Sequence, residues 1–145
     1  MKLKDVLREK DSKVWTVSAR QTVHDALRIL VERKIGALLV LNDAGKIAGI
    51  ISERDIIRGC FQNAAAIETM PVSKLMTQNV FVASPEDDIR VIMATMTEKR
   101  VRHIPVLENG ELKGIVSIGD VVKSLLQDSE HQIKFLKEYI YGSSP

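Results

Sequence analysis

One cysteine, Cys60, stands in a chain of 145 residues, so no internal disulfide can brace the fold, and no histidine lies at metal-ligand spacing from it. Charge of either sign is barely in excess. The formal net charge is +2, too slight and too evenly spread to make nucleic acid the expected partner. Apolar runs are short, and none approaches the ~18 residues that a membrane-spanning helix needs. Glycine is modest at eight residues, and neither a G-x-G-x-x-G nor a Walker sequence occurs, which removes the common phosphate-cradling loops. The start, Met1-Lys2-Leu3-Lys4-Asp5, carries charge but no apolar stretch or cleavage site, so no secretory signal is expected there. Together these absences point to the cytoplasm, and a content of 45% hydrophobic and 28% charged residues is that of a soluble globular protein.

What the chain does have is an internal repeat. Gly49-Ile50-Ile51-Ser52-Glu53-Arg54-Asp55-Ile56-Ile57-Arg58 returns 65 positions later as Gly114-Ile115-Val116-Ser117-Ile118-Gly119-Asp120-Val121-Val122-Lys123. Only Glu53/Ile118 and Arg54/Gly119 break the chemical match. Upstream, Val14-Trp15-Thr16-Val17-Ser18 precedes Val80-Phe81-Val82-Ala83-Ser84 by 66 positions, and the one-residue slip falls in a turn, Asn42-Asp43-Ala44-Gly45 against Glu108-Asn109-Gly110, where insertions are tolerated best. A repeat this long means two copies of one supersecondary unit. Each copy reads strand, helix, strand, tight turn, strand, helix. A unit of about 65 residues buries too little surface to stand comfortably alone, so the halves are expected to pack on each other. The expected divisions are 1–64 for the first repeat, 65–127 for a connector and the second, and 128–145 for a helical tail. The connector, about Gln62 to Asn79, is expected to be structured, its Lys74-Leu75-Met76 resembling the lead-in Lys4-Asp5-Val6-Leu7.

Apolar spacing assigns the helices and strands. Val23, Ala26, Leu27, Leu30 and Val31 form a helical core stripe, as do Ile89, Ile92, Met93 and Met96. The two methionines, one turn apart and matching Leu27 and Leu30, read as packing rather than as a soft-metal site. Ala37 to Leu41 and Ile104 to Leu107 are short strands that turn into partners Ile47 to Ser52 and Leu112 to Ser117, giving hairpins. Pro105 is then expected at a strand start or edge. Lys99, Arg100, Arg102 and His103 gather positive charge. Lys99 and Arg100 also suit a helix C-terminus.

Chemistry concentrates where the last strand of each copy becomes a helix. Ser52-x-x-Asp55 and Ser117-x-x-Asp120 put a hydroxyl and a carboxylate beside a fresh helix N-terminus, whose free amides attract an anion. A carboxylate there can accept two hydrogen bonds from a ribose diol. The same pattern is also that of a capping box, which only stabilises the helix start. Two copies in equivalent contexts favour the ligand role.

These residues resemble the cystathionine-beta-synthase (CBS) domain, over about residues 1 to 127. The resemblance rests on the duplicated Gly-Ile-Ile/Val-Ser-x-x-Asp ending, the run Arg102-His103-Ile104-Pro105-Val106, and the preceding strand and helix with Ser18 and Ser84 at the strand ends. It implies an α+β fold of two tandem β-α-β-β-α repeats about a pseudo-twofold axis, with two clefts between them that take adenine-containing ligands: AMP, ADP, ATP, NAD(H) or S-adenosylmethionine. It further implies that Asp55 and Asp120 hold the ribose, with Ser52 and Ser117 beside them. Adenine is implied against Ile35, Gly36 and Ala37 in one cleft and against Val101, Arg102 and His103, with Pro105, in the other. Thr16 to Ser18 and Val82 to Ser84 would complete the walls, and Arg54 is a candidate for phosphate. Because Gly36 and Ala37 replace Arg102 and His103, and Gly119 replaces Arg54, the two sites are expected to differ in affinity.

No fixed nucleophile, base and oxyanion set is evident, and His24 and His131 have no metal-ligand companions, so no catalytic or metal site and no catalytic cofactor is assigned. The expected function is a non-catalytic adenine-nucleotide sensor that controls an enzyme or transporter. The alternatives are a dimerisation or scaffolding module with vestigial clefts, and an enzyme acting on a nucleotide. Beyond Gln127, Asp128-Ser129-Glu130 reads as a helix break or new cap. Ile133, Phe135, Leu136, Tyr139 and Ile140 then form an apolar helix that needs a cover, expected to be a second copy in a homodimer. Gly142 to Pro145 is expected to fray.

Overall fold

The computed structural model describes residues 1–10 and 13–141; the expected fraying at Gly142 to Pro145 lies outside them. The elements run α1 (Leu3–Glu9), β1 (Thr16–Ser18), α2 (Val23–Arg33), β2 (Ala37–Leu41), β3 (Ile47–Ser52), α3 (Glu53–Asn63), α4 (Val72–Leu75), α5 (Ile89–Lys99), β4 (His103–Glu108), β5 (Glu111–Ser117) and α6 (Ile118–Tyr141). They form two compact units, Lys13–Phe81 and Met1–Ser12 with Val82–Pro145. The units do not coincide with the sequence repeats, because each takes its lead-in helix from the segment preceding the other repeat.

In the unit of residues 13–81, β1 lies parallel to β2 (Thr16 beside Leu39, Ser18 beside Leu41), and β2 pairs antiparallel with β3, so that Ala37 faces Ser52. Helix α2 begins on a reciprocal Thr22–Asp25 cap, whose hydrogen bonds from the Thr22 backbone and hydroxyl hold the Asp25 carboxyl below its ordinary pKa. Val23, Ala26 and Leu30 bury against Val17, Leu38, Val40, Ile51, Ile56 and Val72. Leu27 and Val31 do not join them: they are 40% and 68% exposed. The apolar face is wider than its own sheet can cover, and the expected five-residue core stripe narrows to three.

The other unit repeats this plan with one loss. Helix α5 packs Ile89, Ile92 and Met96 against Ile104, Val106, Val116 and Val121, with Met93 partly buried alongside, so both methionines do pack as expected. β4 and β5 pair antiparallel, His103 opposite Ser117. The expected strand before α5, however, is reduced to a single parallel bridge between Ala83 and Val106. Pro105, third residue of β4, turns its carbonyl to the Ala83 N–H at 3.0 Å. Its nitrogen faces the same side and has no hydrogen to give, so the ladder stops there. Leu39, its counterpart in β2, has that hydrogen, and β1 forms.

The glycines that head the two motifs have a packing reason. A Cβ on Gly49 would sit 2.6 Å from the Thr77 carbonyl oxygen and 2.9 Å from the Met76 sulfur, and one on Gly114 would sit 2.7 Å from Leu7 Cδ2. The residue after each short lead-in helix, or at its end, crosses directly over a strand at the point where a side chain is missing. Thr77 is fixed there by hydrogen bonds to and from Ile50 at 2.8 and 2.9 Å.

Helix α6 is continuous for 24 residues. The break expected at Asp128-Ser129-Glu130 does not occur, since nothing in that triplet denies a helix its hydrogen bonds and all three residues fit a helical surface. No helix among the described residues is long and apolar enough to cross a membrane.

Candidate functional site

At the junction of β3 and α3, Ser52 and Asp55 form a reciprocal cap. Asp55 Oδ2 accepts from the Ser52 N–H at 2.9 Å and the Ser52 hydroxyl at 3.0 Å, while the Asp55 N–H donates to Ser52 Oγ. Its second oxygen accepts from the Thr77 hydroxyl at 3.2 Å and has Arg58 within 3.8 Å. The residue is only 5% exposed. Both oxygens are therefore spoken for, and Thr77, supplied by the connector, closes over them.

The junction of β5 and α6 has the same cap but a different finish. Asp120 Oδ2 accepts from the Ser117 N–H at 2.9 Å, and the Asp120 N–H donates to Ser117 Oγ at 3.1 Å. The third contact comes from Lys10, whose ammonium donates to Asp120 Oδ2 at 2.6 Å and to the Ile115 carbonyl at 2.8 Å. Burial pushes the Asp120 carboxyl up, but the Lys10 hydrogen bond and charge, with the Ser117 N–H and hydroxyl, outweigh it and hold the group below its ordinary value. Asp120 Oδ1 has no hydrogen-bond partner among the described residues, and its side chain is 26% exposed. Ser117 Oγ accepts the Asp120 N–H, while its hydroxyl faces the same carboxyl.

Around each pair the structure gathers part of the expected set. The Glu53 N–H donates to the Gly36 carbonyl at 3.0 Å, which places Ile35, Gly36 and Ala37 beside Ser52, and the Ile118 N–H donates to the Arg102 carbonyl at 2.8 Å, which places Val101, Arg102 and His103 beside Ser117. Thr16 lies beside Leu39, two residues along β2 from Ala37, and Ala83 beside Val106 sets Val82 alongside Pro105. Ser18 and Ser84 are elsewhere. Ser18 is level with Leu41, four residues along β2 from Ala37, which is roughly 13 Å at strand rise. Both hydroxyls accept N–H bonds in the turns that follow, from Arg20 and from Glu86. Arg54 is exposed at the start of α3. Arg100 is the left-handed C-cap of α5, its N–H bonded to the Met96 carbonyl, so it belongs to the helix end.

Lys10 and Thr77 escaped sequence reasoning because they act across 110 and 22 residues of chain. The only available signal was the likeness between the two lead-ins, which placed neither side chain. Among the described residues no group of three His, Cys, Asp or Glu side chains could hold a metal.

Comparison with known proteins identifies the fold and the family. The profile of the CBS domain matches residues 3–61 and 72–127. The mitochondrial CBS domain-containing protein CBSX3 of Arabidopsis thaliana is 34% identical over 125 residues, covering 83% of this chain. The chain spans 61% of that relative's length. A CBS-domain containing protein of known structure from Agrobacterium tumefaciens is 40% identical with a TM-score of 0.82, covering 86% of this chain and 98% of its own. Another CBS domain pair, solved in complex with 5'-methylthioadenosine and S-adenosyl-L-methionine, shares the fold at a TM-score of 0.75 and 22% identity, covering 88% of this chain and 98% of its own.

Proposed function

We infer that this chain, which belongs to the CBS domain family, is a non-catalytic regulatory module that binds an adenosine-containing ligand (AMP, ADP, ATP or NAD(H)) and passes a change of conformation to a partner enzyme or transporter. Ligand binding in this fold is known for the pair solved with 5'-methylthioadenosine and S-adenosyl-L-methionine. The observation that carries the reading for this chain is the state of Asp120. One of its oxygens is fixed by Ser117 and Lys10, and the other has no hydrogen-bond partner among the described residues, on a side chain that is 26% exposed, beside an exposed Gly119. A carboxylate held rigid on one oxygen and open on the other is preorganised to accept a sugar hydroxyl. Arg102 adds positive charge on the same edge.

The two sites are unequal. Asp55 has neither an open oxygen nor exposure, so the ligand is assigned to the Asp120 site, with Ser117, Val101, Arg102, His103, Pro105 and Val82 around it. The equivalent set of Thr16, Ile35, Gly36, Ala37, Ser52, Arg54 and Asp55 takes ligand more weakly. Location in the cytoplasm and a homodimeric state complete the reading.

The buried, doubly bonded Asp55 favours a second reading for its own half, that of a structural cap whose ligand site is vestigial. Calorimetry with AMP, ADP, ATP, NAD, NADH and S-adenosylmethionine separates the two. One molecule bound per chain, lost in Asp120→Ala and kept in Asp55→Ala, is the expected result. No heat with any of these compounds would leave only the structural module.

A further inference from the structure

Helix α6 carries two distinct apolar faces. Val121 and Ser124 point into their own core, 0% and 3% exposed. At 100° per residue, Val122, Leu126, Ile133, Leu136 and Ile140 fall on another stripe, and these are 39%, 60%, 53%, 54% and 66% exposed. Their spacings of four, seven, three and four residues are those of a heptad seam, with Leu126, Ile133 and Ile140 at a, and Val122 and Leu136 at d. Ser129 fills the remaining d place. A groove of ≈ 670 Å³ already runs along the early part of this stripe, past Gly119, Val122, Leu126 and Glu130.

The flanks decide what can cover it. The e row is Lys123, Glu130 and Lys137, alternating in sign, while the g row of Ile118, Leu125, Gln132 and Tyr139 is uncharged. Parallel helices bring g against e, which here matches no charges. Antiparallel helices bring e against e, and a register that sets Ile133 opposite Leu136 also sets Glu130 opposite Lys137. Neither Glu130 nor Lys137 has an ion pair within its own chain among the described residues.

We propose that the distal half of α6 is the contact surface for a second copy of this chain, paired antiparallel about the Ile133–Leu136 layer with two reciprocal Glu130–Lys137 bridges. The proposal gives the homodimer of the preceding section a surface and an orientation. The stripe is self-complementary, as a twofold contact requires, and its exposed apolar residues favour burial against a partner.

Sedimentation equilibrium on the full chain tests it. The wild type is expected to be dimeric, and Ile133→Glu with Leu136→Glu to be monomeric with unchanged circular dichroism, because both positions are exposed. Glu130→Lys alone and Lys137→Glu alone should each weaken the dimer by about tenfold, and the double swap E130K/K137E should restore it. In a Cys60→Ser background, Ile133→Cys with Leu136→Cys should cross-link between chains on oxidation. A dimer indifferent to the acidic substitutions, or unrescued by the double swap, overturns this surface and leaves the homodimer standing on another. A monomeric wild type overturns both.

Discussion

The ammonium of Lys10 lies 2.6 Å from Asp120 Oδ2, a contact between residues 110 apart in the chain. It joins the segment ahead of the first repeat to the helix start that ends the second. The same lysine donates to the Ile115 carbonyl, so its position is fixed by two partners and the carboxylate is fixed with it. A single side chain thereby fixes the carboxylate to which the proposed ligand is assigned.

That pairing makes a pH prediction. The folded pKa of Asp120 is depressed, so its stabilisation is present above the unfolded carboxylate value of about 3.9 and is lost as pH falls through the lower folded value. Lys10→Met should cost about 1 kcal/mol near neutral pH. With burial then unopposed by charge, the acid-unfolding midpoint should move to higher pH. Urea titrations of both proteins between pH 2.5 and 7 check this, and equal midpoints would show that Lys10 contributes nothing.

Asp55 and Asp120 should separate in their costs. Asp55→Ala leaves the Thr77 hydroxyl and the Ser52 N–H without their buried acceptor and should destabilise by about 2–3 kcal/mol, with ligand binding retained. Asp120→Ala should cost about 1 kcal/mol and abolish binding. Denaturant midpoints measured beside calorimetric titrations distinguish the roles.

Gly49 and Gly114 are equivalent in sequence but not in tolerance. At Gly49 the obstruction is a backbone oxygen held by hydrogen bonds to Ile50, whereas at Gly114 it is the tip of Leu7. Gly49→Ala should therefore lose roughly 2–3 kcal/mol through overpacking and Gly114→Ala about 1 kcal/mol. Thermal melts of the two variants give the order directly.

Lys34 and Arg100 end their helices in the left-handed region, at φ 54° and 55°. A side chain there costs roughly 1–2 kcal/mol that glycine does not incur, partly offset by glycine's greater freedom when unfolded. Lys34→Gly and Arg100→Gly should each raise stability by about 0.5–1 kcal/mol, seen as a higher Tm. A fall in either would show that the lysine or arginine side chain itself holds the helix end.

Much of this was legible in the chain because it is written twice. The second copy confirmed the first wherever the physics was local: hairpins, helix stripes, and a serine and aspartate three residues apart. What escaped depended on which surface meets which. Leu27 and Val31 share the periodicity of Ala26 and Leu30, and only the width of the sheet decides that they stay outside. Pro105 was expected at a strand start or edge, yet β4 continues through it and the loss falls on the neighbouring segment around Ala83. The difference between Asp55 and Asp120 was invisible because Thr77 and Lys10 arrive from the lead-ins. At Asp128-Ser129-Glu130, residues that suit a cap also suit the outer surface of an uninterrupted helix.

Because residues 13–81 form one unbroken stretch inserted between the two parts of the other unit, the order of events during synthesis is constrained. All the elements of the inserted stretch are available once residue 81 leaves the ribosome. Helix α1 must wait with Leu3 and Val6 uncovered until β5 and α6 emerge to receive it. A helix that precedes the first repeat in the chain thus docks only after the second repeat is made.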